Sequence, residues 1–172
     1  MNAEKSQLRT KAKKLLKKIP REEWAENSFA IMQKLAQNSH FKDSERIFVY
    51  LPSPTEPDTL PLIEQFFGEK KFFVWDGQDI VELIEPKYKM AEFPFPLPKK
   101  CGELGTDLDL VILPGLLFDK QNQRLGHGTG WCDCFLRDKD FYKIALCLDC
   151  QIVDTLPCEP HDVGFDEIIT EK

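Results

Sequence analysis

Leu110-Val111-Ile112-Leu113-Pro114-Gly115, with Arg124-Leu125-Gly126-His127-Gly128-Thr129-Gly130 nine residues further on, decides the fold. Four consecutive apolar side chains fit a strand buried on both faces, the situation of a parallel sheet. Pro114-Gly115 ends that strand. The glycine segment then leads into a helix expected near 130–138, so the unit runs strand, loop, helix.

The same alternation extends outward from this unit. Leu8, Ala12, Leu15, Leu16 and Ile19 recur at helical spacing, and lysines fill the other face. Pro20 disfavours helix at Ile19 and sets a boundary. Trp24, Ser28, Ile31, Met32 and Leu35 form the stripe of a second helix, with Phe29 on its flank. Ile47-Phe48-Val49-Tyr50-Leu51 reads as a short buried strand. After a proline-rich loop at 52–57, Asp58 or Thr59 caps a helix through Leu62, Ile63 and Phe66, which Gly68 ends. Phe72-Phe73-Val74-Trp75 is a strand, Asp76-Gly77 a hairpin turn, and Ile80 to Ile84 the return strand. Pro94, Pro96 and Pro98 make 91–100 extended and keep it out of the middle of a sheet. Downstream, Ile144-Ala145-Leu146-Cys147-Leu148 is a further strand, and Ile168-Ile169 an edge strand. This alternation predicts an α/β fold, a single domain over 1–172 with a mostly parallel central sheet flanked by helices.

Composition narrows the classes. A 42% hydrophobic and 11% aromatic content is that of a chain with a real core rather than a disordered one. No apolar run approaches the roughly 18 residues of a membrane span, and Met1 to Ser6 lacks the apolar stretch of a secretory signal. A cytoplasmic location is expected, and the six cysteines then read as reduced thiols. The formal charge of −6 hides an asymmetry: seven of the 23 basic residues and no acid lie between Lys5 and Lys18. The other 16 basic residues therefore meet all 29 acidic ones. An acidic body argues against general nucleic-acid binding.

The glycine segment points to phosphate. Glycines let main-chain amides approach an anion and tolerate positive φ. The following helix start adds unpaired amides, and Arg124 and Lys120 add charge. The spacing matches neither Gly-x-x-x-x-Gly-Lys nor Gly-x-Gly-x-x-Gly. A flexible strand-to-helix connection stays open as the structural alternative.

Taken together, Leu108 to Asp119 and Arg124 to Leu136 resemble the signature of 5-formyltetrahydrofolate cyclo-ligases, also called methenyltetrahydrofolate synthetases. Lys5-Ser6-Gln7-Leu8-Arg9 is similar to that family's N-terminal Lys-x-x-Leu-Arg. Tyr50-Leu51 with Glu56-Pro57-Asp58-Thr59 resembles its substrate loop. Pro160-His161-Asp162 with Asp166 to Thr170 resembles its C-terminal end. The resemblance implies a single α/β domain that converts 5-formyltetrahydrofolate into 5,10-methenyltetrahydrofolate with ATP and magnesium, releasing ADP and phosphate. The implied route phosphorylates the formyl oxygen, after which the other folate nitrogen attacks the activated carbon. The resemblance also implies the site residues. Arg124, Lys5 and Arg9 are the catalytic cations. Lys5, Arg9, Arg124, Leu125, Gly126, His127, Gly128, Thr129, Gly130, Trp131 and Cys132 bind ATP. Leu51, Glu56, His127, Gly128, Thr129, Gly130 and Trp131 border the folate. Asp133 and Asp166 hold magnesium, for which carboxylate oxygen is a suitable ligand. A monomer acting on a small molecule is expected, with no membrane or nucleic-acid partner.

Departures from the family pattern keep other readings in play. The family commonly reads Gly-Tyr-Tyr-Asp where this chain has Gly130-Trp131-Cys132-Asp133, and often has arginine where Cys134 stands. A glycine usual before the arginine loop is Asn122, which tolerates a left-handed turn. A nucleotide- or folate-binding protein that has lost catalysis is one alternative. A zinc-stabilised interaction module on Cys132-x-Cys134 and Cys147-x-x-Cys150 is another, disfavoured because i,i+2 on a helix and i,i+3 on a strand diverge. By themselves, the Lys5, Arg9, Lys13 and Lys17 stripe reads as a solvated helix face, and Asp162 and Asp166 as surface acids.

Overall fold

In a computed structural model that describes residues 3–89, 97–98 and 101–172, the four apolar residues of Leu110–Leu113 (β7) form a strand near the centre of the sheet, all four buried. The other strands of this sheet are Arg46–Phe48 (β1), Lys71–Trp75 (β2), Ile80–Leu83 (β3), Cys101–Leu104 (β6), Tyr142–Leu146 (β10) and Glu167–Ile169 (β12), in the order β12-β10-β7-β1-β2-β3-β6. The pairs from β12 through β2 are parallel, and β3 runs antiparallel to both its neighbours. Asp76 shapes the β2–β3 turn, its carboxylate accepting from the amides of Gln78 and Asp79. The edge strand expected at Ile168-Ile169 is β12.

Both faces of the sheet are covered, which is why its strands read as unbroken apolar runs. Successive side chains point to opposite faces. Ile47, Phe72, Val74, Leu110, Ile112, Ile144 and Leu146 pack with Ile31, Met32 and Leu35 of Arg21–Gln37 (α2), with Phe41 of Ser39–Asp43 (α3) and with Leu62 and Ile63 of Leu60–Phe66 (α4). Phe48, Phe73, Val111, Leu113, Ala145 and Cys147 pack on the other side with Cys132 and Leu136 of Trp131–Leu136 (α5). Ala3–Leu16 (α1) lies apart, on a small sheet of Leu117–Asp119 (β8), Arg124–Leu125 (β9) and Ile152–Val153 (β11). Ala12 and Leu16 meet Leu116, Leu117, Leu125 and Leu156 there.

Several local expectations change. The strand expected over 47–51 ends at Phe48, although burial continues through Leu51. Asp58 rather than Thr59 receives an α4 amide, from Leu60 at 3.1 Å, while the Thr59 hydroxyl donates to the Tyr50 carbonyl. The helix after the glycines stops at Leu136 rather than 138. Asn122 does adopt the left-handed turn, at φ 61°. Of the proline segment 91–100, only Leu97–Pro98 (β5) lies within the described residues; it pairs with Tyr88–Lys89 (β4) outside the central sheet.

Candidate active site

The strand order turns back on itself between β1 and β7. From β1 the chain proceeds outward to β2, whereas β7 on the other side leads to β10 and β12. Such a reversal opens a crevice beyond the carboxyl ends of the strands. A cavity of about 500 Å³ sits there, walled by Phe48, Tyr50 and Leu51 after β1, Trp75 at the end of β2 and Pro114 after β7. The glycine segment and α1 close it from the side of the small sheet.

Three basic side chains, Lys5, Arg9 and Arg124, line the cavity beside the glycine segment. Strand β9 delivers Arg124, whose side chain is 3% exposed and whose Nη2 lies 2.8 Å from Asp133 Oδ1. The same carboxylate oxygen accepts from the Val163 amide at 3.1 Å. Arg124 Nε is buried and finds no hydrogen-bond partner among the described residues. Arg9 Nε donates to the Gly126 carbonyl at 2.9 Å. Gly128 has φ 99°, and a Cβ there would lie 3.2 Å from the Arg9 guanidinium, so a side chain at 128 would displace that cation.

Lys5 departs from the solvated face expected for it. It is 5% exposed, and its ammonium contacts Glu159 Oε2 at 2.7 Å and Asp162 Oδ2. Asp162 Oδ2 also accepts from the Glu159 amide at 2.7 Å. Burial alone would lower the Lys5 pKa, but hydrogen bonds to Asp162 and Glu159 outweigh it and the value rises. Asp162 is held below its ordinary value, Lys5 and the Glu159 amide overcoming burial. Among the described residues, Glu159, His161 and Asp162 are the group with metal-ligand atoms within 4.8 Å of one another. The Lys5 ammonium already contacts both of its carboxylates.

Aromatic side chains also line the cavity. Trp75 and Trp131 stack with centroids 5.0 Å apart and planes 2° from parallel, and Phe48 meets Trp131 edge-on. The loop after β1 folds back so that Glu56 points inward at 2% exposure, one oxygen accepting from the Ser53 amide at 2.9 Å. Its other oxygen lies 3.2 Å from His127 Nε2. Burial, followed by the Glu56 charge, raises the Tyr50 hydroxyl well above its ordinary pKa, and that hydroxyl donates to the Pro57 carbonyl.

Lys5, Arg9, Leu51, Glu56 and the whole of 124–133 thus share one cavity. Asp166 does not line it. Its carboxylate accepts from the Lys143 amide at 2.8 Å and lies 3.0 Å from Lys143 Nζ, at the start of β10. Lys120, expected to add charge to the phosphate segment, instead pairs with Asp154 on the exposed surface. The helix α5 spans six residues; Arg124 is buried beside it and Arg9 is half-buried. Trp75 and Glu159 are wall residues to which the sequence alone assigns no site role. The cysteines split. Cys132 and Cys147 are buried in the core while Cys134 and Cys150 are exposed.

The family model described as the 5-formyltetrahydrofolate cyclo-ligase family matches residues 1–171. The 5-formyltetrahydrofolate cyclo-ligase of Mus musculus is 30% identical, the match covering 99% of this chain and 95% of that one. A probable 5-formyltetrahydrofolate cyclo-ligase of Caenorhabditis elegans is 30% identical over 97% of this chain and 92% of its own. The solved 5,10-methenyltetrahydrofolate synthetase of Aquifex aeolicus superposes with a TM-score of 0.84 at 27% identity, covering 98% of this chain and 90% of that one. On its sequence over nearly its whole length, and on its fold, this chain belongs to the 5-formyltetrahydrofolate cyclo-ligase family of ligases.

Proposed function

We propose that this enzyme converts 5-formyltetrahydrofolate into 5,10-methenyltetrahydrofolate, using ATP and releasing ADP and phosphate. The observation that carries the reading is one cavity whose wall combines Lys5, Arg9, Arg124 and the glycine segment with Phe48, Trp75 and Trp131. Arg9, Arg124 and Lys5 with the amides of the glycine segment suit a polyphosphate. The buried polar atom Arg124 Nε and the cradle at Gly128 fit that assignment. Trp75, Trp131, Phe48 and Tyr50 suit a planar heterocycle, with Glu56 positioned to accept from its polar edge. The formyl group of such a substrate faces the cations. Its oxygen is a poor leaving group until phosphorylated, and fixed cations stabilise the charge that develops on transfer.

Magnesium, when bound, would supply charge neutralisation on the phosphates. Asp133 fits as a ligand on the cavity wall; Asp166, bound to Lys143 away from that wall, fits less well. The working form in this reading is a cytoplasmic monomer. No helix among the described residues is long and apolar enough to cross a membrane. The test is the appearance of the methenyl chromophore from 5-formyltetrahydrofolate with and without ATP, alongside the ADP formed. Binding of both compounds without methenyl product would instead identify a protein of this fold that has lost catalysis, the outcome that Trp131 and Cys132 would then explain.

A further inference from the structure

We propose that His127 and Glu56 form a proton-accepting pair for ring closure, an inference that rests on the folate reading above. Closing the five-membered ring joins N10 of the substrate to the formyl carbon. N10 enters carrying a hydrogen and leaves without it. Its lone pair forms the new N–C bond, its proton passes to a base, and the C–O bond of the formyl group breaks with the oxygen departing as phosphate, the phosphoryl group coming from ATP. A base is therefore required beside N10.

His127 lines the same cavity. It sits between Gly126 and Gly128 on the phosphate side, and its Nε2 reaches across to Glu56 on the folate side at 3.2 Å. Histidine suits the task because its neutral and charged forms are close in free energy near pH 7. Its neighbours make the carboxylate necessary. Arg9 and Arg124 border the same loop, and an imidazolium formed beside two guanidinium groups is opposed by both. Glu56, 2% exposed, sets a buried negative charge against the far side of the ring and offsets that repulsion. The Ser53 amide fixes the carboxylate so that it does not turn away.

The test follows one turnover by rapid quench in the presence of ATP, with ADP and methenyl product measured in the same samples. His127→Gln keeps a polar side chain beside Glu56 but cannot take a proton. Methenyl formation should fall about 100-fold or more and by far more than ADP formation does, and imidazole added to His127→Gly should restore part of it. Glu56→Gln, which retains an oxygen for the Ser53 amide, should show the same separation more weakly. If methenyl and ADP slow together in His127→Gln, or if methenyl forms at the wild-type rate, the proton-acceptor role is overturned and the cyclo-ligase reading stands. If the wild-type enzyme makes no methenyl product at all, the functional reading falls and takes this inference with it.

Discussion

Replacing Asp133 by alanine should destabilise the protein before it says anything about catalysis. Asp133 Oδ1 holds Arg124 Nη2 at 2.8 Å and the Val163 amide at 3.1 Å. The arginine side chain is 3% exposed and the aspartate 22%. Removing one partner of a buried pair leaves the other charged and desolvated, at a cost of about 3–5 kcal/mol. Asp133 is partly wetted, so the lower end, about 3 kcal/mol, applies. In a chain of this length 1 kcal/mol moves Tm by about 2–4 °C, giving a fall of about 6–12 °C. A domain stable by about 5–15 kcal/mol remains folded at 25 °C. Asp133→Asn keeps an accepting oxygen and should lose roughly half as much. Arg124→Ala removes the buried charge itself, so the double variant should be more stable than the two single losses predict by at least about 1 kcal/mol. Thermal unfolding of the four variants and wild type measures all of this. A Tm within about 2 °C of wild type for Asp133→Ala, together with strict additivity, would refute the buried-pair argument.

Lys5→Met should raise the ATP concentration needed for half-maximal turnover at least about tenfold while kcat changes less, as steady-state titration would show; an unchanged KM removes Lys5 from phosphate binding. The Lys5 clamp also has a defined pH window. The raised Lys5 value gives stability that is present below its unfolded pKa and is lost only as pH rises through the higher folded one; the depressed Asp162 and Glu159 values give stability present above their unfolded pKa and lost as pH falls through the folded ones. Protection of α1 from limited proteolysis should therefore stay constant between about pH 5 and 9 and drop below about pH 4, whereas a loss of protection inside that window would contradict the clamp. Iodoacetamide at about pH 8 should label Cys134 and spare Cys132, whose thiol burial pushes up to about 11 against the opposing Arg124 charge; peptide mapping showing the reverse order would contradict the burial assigned to α5. Trp131→Phe should abolish most of the fluorescence change on adding 5-formyltetrahydrofolate, because it breaks the Trp75–Trp131 stack on the cavity wall; a full-sized change in the variant would place the ligand elsewhere.

The fold was readable because the sheet is buried on both faces and hydrophobicity alone marks such strands. Ile47-Phe48-Val49, Phe72-Phe73-Val74 and Leu110 to Leu113 each send alternate side chains into opposite cores. The antiparallel β3 was readable from Asp76-Gly77, whose chemistry is local. What could not be read were contacts made across the chain. Lys5 sits on an amphipathic stripe where lysine normally means water. Its burial comes from Glu159 and Asp162, 154 and 157 residues away. Trp75 ends a strand, and nothing local says that its ring meets Trp131. Asp162 and Asp166 look alike in sequence, yet one faces the cavity and the other binds Lys143.

The glycine segment shows why its spacing matches no phosphate fingerprint. Glycine fingerprints encode a particular loop around a particular phosphate, and this loop instead accommodates the protein's own cations. A Cβ at Gly126 would lie 3.0 Å from Arg124 Nη1, and one at Gly128 would lie 3.2 Å from the Arg9 guanidinium. Gly130, at φ 70°, is the residue from which α5 starts. Each glycine answers a separate constraint, so the interval between them is set by where two arginines enter and where a short helix begins. A side chain at 126 or 128 should therefore act first on arginine placement. Gly128→Ala combines an unfavourable φ of 99° with contact on Arg9, and it should weaken nucleotide binding in step with the loss of the Arg9–Gly126 hydrogen bond. Arg9→Ala supplies the comparison: if Gly128→Ala weakens binding just as far in an Arg9→Ala background, the glycine serves the phosphate directly, and arginine entry does not set the interval.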